Sequence, residues 1–142
     1  MTNSDPELQE ILRKKASSLQ KRASFFDKVN RVGVTNVNDA NIDEIIQMSP
    51  MPVLVDFSAD SWCKPCVVMG PIYEELSHEF VNRVLFIKIN TDHNPQAATR
   101  YRIFSVPTFM VFNAGKKVSQ HTGATPKGKF KAWLEEILNR IQ

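Results

Sequence analysis

The sequence contains no apolar run that approaches the roughly eighteen residues of a membrane-spanning helix. Its first residues also lack the apolar segment of a secretory signal, and Asp5, Glu7 and Glu10 are atypical of a transit peptide, which is poor in acidic residues. The composition, 42% hydrophobic and 23% charged, is ordinary for a soluble globular protein. We therefore expect a cytoplasmic protein with one sizeable core and no membrane partner.

Positive charge is too unevenly placed to indicate a nucleic-acid-binding domain. Residues 1–32 hold seven Lys and Arg against four Asp and Glu, whereas residues 33–142 hold eleven of each sign. A domain that binds nucleic acid usually carries a broad basic surface, so we do not expect such a partner. Only the N-terminal segment is basic enough to act as a charged arm.

Metal ligands are scarce as well. The histidines His78, His93 and His121 are scattered, and the chain has two cysteines. A zinc site needs four protein ligands, or three and a water molecule. We expect no metal and no other cofactor, and we interpret each histidine as a surface or partly packed side chain.

The two cysteines, Cys63 and Cys66, lie three residues apart, after the apolar segment Val53–Phe57. A helix beginning at Cys63 would bring both sulfurs onto its first turn, close enough to form a disulfide. Its free N–H groups and positive dipole end favour a thiolate at Cys63. Two inert buried cysteines, or a structural bridge, are the alternatives, although a bridge across so short a loop adds little stability. The spacing predicts a redox site.

The N-terminal segment predicts one helix from Asp5 to about Asn30. Ser4 or Asp5 can cap it, and Pro6 suits the first helical position. A narrow apolar stripe recurs every three or four residues, formed by Leu8, Leu12, Ala16, Leu19, Ala23 and Phe26. This helix either docks on its own domain, frays in solvent, or binds a partner. We treat residues 1–32 as an extension, and we expect that deletion of residues 1–30 leaves the redox activity in place.

Alternating strands and helices follow Gly33. The strands are predicted at Val34–Val37, Pro52–Phe57, Val84–Asn90, Phe109–Asn113 and Lys117–Thr122. The helices are predicted at Ile42–Met48, Cys63–Phe80, Pro95–Tyr101 and from Thr125 onward. This order predicts an α/β fold with a mixed central sheet, parallel on one side and antiparallel on the other, flanked by helices. The cysteines then lie at the carboxyl end of a central strand, where ligands usually bind.

Several motifs, in the correct order, make residues 33–142 resemble the thioredoxin family. The stretch from Trp62 to Cys66 is similar to the family's Trp-Cys-Gly-Pro-Cys, with Lys64 in place of glycine. Asp56 matches the family's buried aspartate, and Lys88 stands where a lysine commonly pairs with it. Further matches are the helix proline Pro71, the cis-proline loop Ser105–Thr108, the hairpin glycine Gly115 and the groove glycine Gly123.

The resemblance implies a thioredoxin-like fold and a protein-disulfide reductase. Cys63 would attack a substrate disulfide, Cys66 would resolve the mixed disulfide, and Asp56 would exchange a proton with Cys66. The residues expected to bind substrate are Trp62, Lys64, Pro65, Val106, Pro107 and Gly123. Lys64 either stabilises the thiolate or is a solvated substitution without effect. The implied partners are disulfide-containing proteins and a thioredoxin reductase or equivalent electron donor.

Two other functions stay open. A disulfide oxidase or isomerase needs a more oxidising disulfide, near about −180 mV instead of about −270 mV for thioredoxin. An interaction module would use the groove and the N-terminal helix without redox chemistry.

One departure from the family lies beside the cysteines. Five residues separate Phe57 from Cys63, where thioredoxins usually have four. We place the extra residue at Ser61, because removing it restores the spacing and leaves Trp62 next to Cys63.

Overall fold

The computed structural model of the protein describes residues 5–29 and 32–141. No helix among these residues is long and apolar enough to cross a membrane. The helices within them are α1 (Pro6–Lys28), α2 (Ile42–Met48), α3 (Lys64–Glu79), α4 (Pro95–Arg100) and α5 (Lys127–Ile141). The strands are β1 (Val34–Val37), β2 (Val53–Ser58), β3 (Leu85–Asn90), β4 (Thr108–Asn113) and β5 (Lys116–Thr122).

The five strands form one mixed sheet in the order β1-β3-β2-β4-β5. Strand β3 is parallel to β1 and to β2, whereas β4 is antiparallel to β2 and to β5. This confirms the predicted fold class, with parallel strands on one side and a hairpin on the other. All six residues of β2 are buried, which explains why its sequence shows little alternation.

Helices cover both faces of the sheet, and each face has its own apolar core. On one face, α2, α4 and the last turn of α1 pack against Val53, Val55 and Phe57 of β2. On the other face, α3 and α5 pack against Leu54. Asp56 shares the face of Leu54, because side chains two residues apart on a strand point the same way.

The β4–β5 hairpin turns at Ala114 and Gly115, as predicted. Both have positive φ angles, 52° and 80°, the backbone that a tight two-residue hairpin requires. A Cβ at Gly115 would also lie 2.5 Å from the Gln47 side-chain oxygen. The positive φ favours glycine here, although the end of the flexible Gln47 side chain could move aside for a larger residue. The hairpin brings the end of β5 beside the loop that precedes β4.

Helix α1 differs along its length. Asp5 caps it, accepting a hydrogen bond from the backbone N–H of Glu7 at 3.0 Å. The stripe residues Leu8, Leu12 and Leu19 are exposed. Ser4 and Asn30, and the Phe26 side chain, lie outside what the structure describes.

The helix is instead anchored at its end. Phe25, only 2% exposed, and Val29 belong to the core beneath α2. Phe25 lies off the predicted stripe. Removal of residues 1–30 would therefore take core residues away, because the end of α1 contributes Phe25 and Val29 to the core.

Candidate active site

Cys63 and Cys66 form a disulfide at the carboxyl end of β2, as their spacing predicts. Cys63 is the N-cap of α3, and the two Cα atoms are 5.3 Å apart. Cys63 is 4% exposed and Cys66 is fully buried, so a substrate has better access to the Cys63 sulfur. The helix begins here because Lys64 and Pro65 follow the cap, and Pro65 needs no hydrogen-bond acceptor in a first turn.

The backbone around the Cys63 sulfur favours negative charge there. The N–H of Cys66 donates a hydrogen bond to Cys63 Sγ at 3.2 Å. The sulfur also lies at the N-terminus of a sixteen-residue helix, where the helix dipole is positive. After reduction, both interactions would stabilise a Cys63 thiolate relative to a thiol.

The loop before β4 lies against the disulfide. The Val106–Pro107 peptide bond is cis, as the resemblance implies, and the Val106 carbonyl oxygen lies 3.7 Å from Cys63 Sγ. The N–H of Gly123 donates to the Pro107 carbonyl at 2.8 Å, and Gly123 has a φ of 93°. These contacts bring three of the predicted substrate-binding residues to one side of Cys63.

Trp62 is 66% exposed, yet its position is fixed. Its indole Nε1–H donates to Asp92 Oδ2 at 2.8 Å, and the hydroxyl of Ser61 approaches the same oxygen at 3.4 Å. The extra residue thus takes part in a small polar cluster with the tryptophan. Lys64 and Pro65 are also exposed, at the start of α3.

Asp56 is a buried carboxylate without a hydrogen bond. It is 1% exposed, and neither carboxylate oxygen has a hydrogen-bond partner. Burial raises its pKa from 3.8 to about 7; the charge of Lys88 lowers the pKa and that of Asp60 raises it. At neutral pH this group can therefore take up or release a proton, as proton transfer requires.

Lys88 is placed differently from what the resemblance implies. It stands opposite Asp56 in the pairing of β2 with β3, but its ammonium group donates to Asp60 Oδ2 at 2.7 Å. Asp60 is half exposed, so the ion pair forms where water still solvates both charges. The expected pairing with Asp56 is not made.

Sequence reasoning missed Phe104, which is 92% exposed beside the cis-proline loop. It borders a cavity of about 230 Å³ next to the disulfide, together with Trp62, Ile103 and Val106. The sequence did contain a signal: Phe104 is an aromatic residue two positions before Val106, and it lies outside the predicted helices and strands. Such an exposed apolar side chain beside a reactive group is typical of a surface that binds another molecule.

The histidines do not approach the cysteines as ligands. His78 and His93 are exposed, and His121 packs among aromatic rings, including those of Phe130 and Trp133. Across residues 5–29 and 32–141, no group of three or more His, Cys, Asp or Glu side chains could hold a metal ion.

Comparisons with known proteins agree with this geometry. A sequence model of the Thioredoxin family matches residues 33–136. The chain is 42% identical over 102 residues to "Thioredoxin" of Synechocystis sp., an alignment that covers 72% of this chain and 94% of the relative. It is 39% identical over 102 residues to "Thioredoxin" of Alicyclobacillus acidocaldarius, with coverages of 72% and 95%. The chain belongs to the thioredoxin family.

A further relative of this thioredoxin is "Thioredoxin M-type, chloroplastic" of Chlamydomonas reinhardtii, 41% identical over 103 residues and covering 72% of this chain and 73% of the relative. The family and the disulfide together make the protein a dithiol–disulfide oxidoreductase. Membership implies disulfide-containing protein substrates and a reductase that supplies electrons. The family match begins at Gly33, so α1 lies before it.

Proposed function

We propose that this thioredoxin reduces protein disulfides, with Cys63 as nucleophile, Cys66 as resolving cysteine and Asp56 as proton acceptor. The observation that carries this assignment is the asymmetry of the pair. Cys63 caps α3 and accepts the Cys66 N–H, while Cys66 is buried behind it. A nucleophile needs access and a stabilised thiolate, whereas a resolving thiol needs only to reach the first sulfur.

The reaction runs in two exchanges. The Cys63 thiolate attacks one sulfur of the substrate disulfide, forming a mixed disulfide and releasing the other substrate sulfur as a thiolate. The Cys66 thiol passes its proton to Asp56 through a water molecule and attacks Cys63 Sγ. The mixed disulfide breaks, and the second substrate sulfur leaves. The substrate gains two electrons, and the protein retains the Cys63–Cys66 disulfide.

The substrate chain would lie in the groove between Trp62 and the cis-proline loop. Trp62 and Phe104 offer apolar surface, and the backbone at Val106 offers hydrogen-bonding groups to an extended strand. The backbones of Pro107 and Gly123 form this side of the groove, and they are joined by the hydrogen bond from the Gly123 N–H to the Pro107 carbonyl. Lys64 and Pro65 would contact the substrate from the opposite side.

The proposed compartment is the cytoplasm, on the ground that a catalytic cysteine pair suits a reducing environment. The chloroplast is the competing location, since two relatives are named chloroplastic. Fluorescence microscopy of the tagged full chain in its source cells distinguishes the two. Chloroplast fluorescence would contradict the cytoplasmic assignment.

Trapping of mixed disulfides tests the residue roles. Cys66→Ser, reduced beforehand, should accumulate covalent adducts with disulfide-containing proteins from a lysate prepared without reductant, because the resolving step is lost. The matched control, Cys63→Ser, should accumulate none, since it lacks the nucleophile. Adducts in the Cys63→Ser protein alone would reverse the two roles.

The direction of the reaction has its own test. We expect a reduction potential near about −270 mV and catalysed reduction of insulin disulfides. A potential near about −180 mV with slow insulin reduction would identify an oxidase or isomerase. If the double variant Cys63→Ser, Cys66→Ser retained full activity in cells, the protein would be an interaction module.

A further inference from the structure

Two carboxylates compete for one ammonium group beside the disulfide. Asp56 and Lys88 are directly paired residues on neighbouring strands, so their side chains emerge side by side. The Lys88 ammonium nevertheless bonds Asp60 at 2.7 Å, and both oxygens of Asp56 have no hydrogen-bond partner. Asp60, four positions after Asp56, thus binds the ammonium group that could otherwise pair with Asp56.

The difference in solvation between the two carboxylates explains why Lys88 pairs with Asp60 and not with Asp56. Bringing the Lys88 ammonium down to Asp56 would remove both charges from water, and that cost offsets much of their attraction. Asp60 lies in the loop after β2 and is half exposed, while the Lys88 side chain is partly exposed. The pair with Asp60 therefore keeps its contact with water and avoids most of the desolvation cost.

The surroundings of Asp56 contain few other polar groups. Lys88 faces it from β3 and Asp60 from the loop after β2, and both act on it electrostatically. From α3 comes Tyr73, whose hydroxyl lies between the carbonyl oxygens of Leu54 and Ile87 and whose pKa is raised by burial and by Asp56. On β4 the paired residue is the apolar Phe109. The position of the Lys88 ammonium is therefore the main electrostatic variable at this site.

We propose that Asp60 is a positioning residue: by holding the Lys88 ammonium, it leaves the Asp56 carboxylate unpaired and able to accept the proton of Cys66. This inference rests on the proposed function for the role of Asp56, but the placement of Lys88 can be measured without it. Asp60 acts here without touching the substrate or either sulfur. It lies in the loop that carries the extra residue Ser61, next to it in sequence.

Loss of the Asp60 charge changes Asp56 in two ways that add. The freed Lys88 ammonium can approach Asp56, and the repulsion between the two carboxylates disappears. Both effects favour the ionised form of Asp56. In Asp60→Asn we expect the pKa of Asp56 to fall from about 7 to about 6 or below.

A double-mutant cycle isolates the contribution of Lys88. The Asp56 carboxyl is titrated by carbon-13 NMR in the full-length oxidised protein, in Asp60→Asn, in Lys88→Gln and in the double variant. Asp60→Asn should lower the Asp56 pKa strongly when Lys88 is present and only slightly when it is Gln. Asp60→Glu keeps the charge and should retain a pKa near that of the parent protein. Asp60→Ala should behave as Asp60→Asn does.

The outcomes separate this inference from the proposed function. An unchanged Asp56 pKa in Asp60→Asn, or an equal fall in both Lys88 backgrounds, would overturn the positioning role. The pH profile of insulin reduction is recorded on the same proteins, and in Asp60→Asn we expect it to move toward lower pH together with the Asp56 pKa. A pKa that falls with Lys88 present while the pH profile stays fixed would support the placement of Lys88 and contradict the proton-accepting role of Asp56.

Discussion

The N-terminal helix and the cysteine edge of the sheet both expose apolar side chains, but in different settings. In α1, Leu12 and Leu19 project from a helix whose contact with the core is made by its last turn. At the cysteine edge, Trp62 is as exposed as Leu19, yet it is held by Asp92 and lies beside the disulfide. Exposure alone therefore does not identify a binding surface; position next to fixed, reactive groups does.

Two N-terminal deletions should sharpen this comparison most. Removing residues 1–20 takes away the first part of α1, which is almost entirely exposed, so we expect a change below about 1 kcal/mol in the free energy of unfolding. Removing residues 1–30 also takes away Phe25 and Val29 from the core, which should cost about 3–5 kcal/mol. Urea denaturation of both proteins measures the difference.

The point variant Phe25→Ala is the control for that pair. It should reproduce most of the loss while leaving α1 in place. Equal stability of the two deletions would mean that the last turn of α1 contributes nothing to the core, and that the whole helix is an independent extension.

Asp56→Asn should have the next largest effect, and it depends on pH. Because the folded-state pKa, about 7, lies above 3.8, the folded chain keeps a proton that the unfolded chain has lost, and stability falls as the pH rises between these values. The full fall is about 4 kcal/mol. A buried amide without a partner costs about 1–3 kcal/mol, so the variant should be about 1–3 kcal/mol more stable at pH 8.

Below about pH 3 the gain from Asp56→Asn should vanish, because Asp56 is then largely protonated in both the folded and the unfolded chain. The same substitution should slow insulin reduction, since it removes the proton acceptor. A lower free energy of unfolding at pH 8 would contradict the stability prediction. Unchanged turnover between pH 6 and 8 would contradict the proton-accepting role.

Deletion of Ser61 should have the smallest effect. Shortening a loop by one residue changes its closure entropy little, so the free energy of unfolding should change little. The rate of exchange with small thiols should stay within about fivefold of the parent rate. The relative rates among protein substrates should change, because Ser61 approaches Asp92, which fixes Trp62. Ser61→Ala, which keeps the loop length, is the matched control. A collapse of the small-thiol rate would show that Ser61 sets the geometry of the sulfurs.

Most of the fold followed from local sequence patterns. The mostly apolar sequence of β2, the Ala114-Gly115 turn and the spacing of the cysteines each have a direct physical meaning, and the structure bears them out. The cis Val106–Pro107 bond came from the resemblance, since no local pattern distinguishes it.

Other features depend on contacts between distant parts of the chain. The stripe of α1 did not indicate that the helix is anchored by Phe25, which lies off the stripe and packs in the core with α2. The choice of Lys88 between Asp56 and Asp60 depends on how much water each carboxylate keeps after folding. Sequence spacing does not contain that quantity.

Alkylation of the reduced protein tests the central claim, the unequal roles of the two cysteines, most directly. The protein is treated with iodoacetamide across pH 5 to 9, and the modified peptides are quantified by mass spectrometry. We expect Cys63 to react at a pH well below that of a free thiol, and Cys66 to react about a hundredfold more slowly because it is buried. Equal rates at the two sulfurs, or faster reaction at Cys66, would contradict the account.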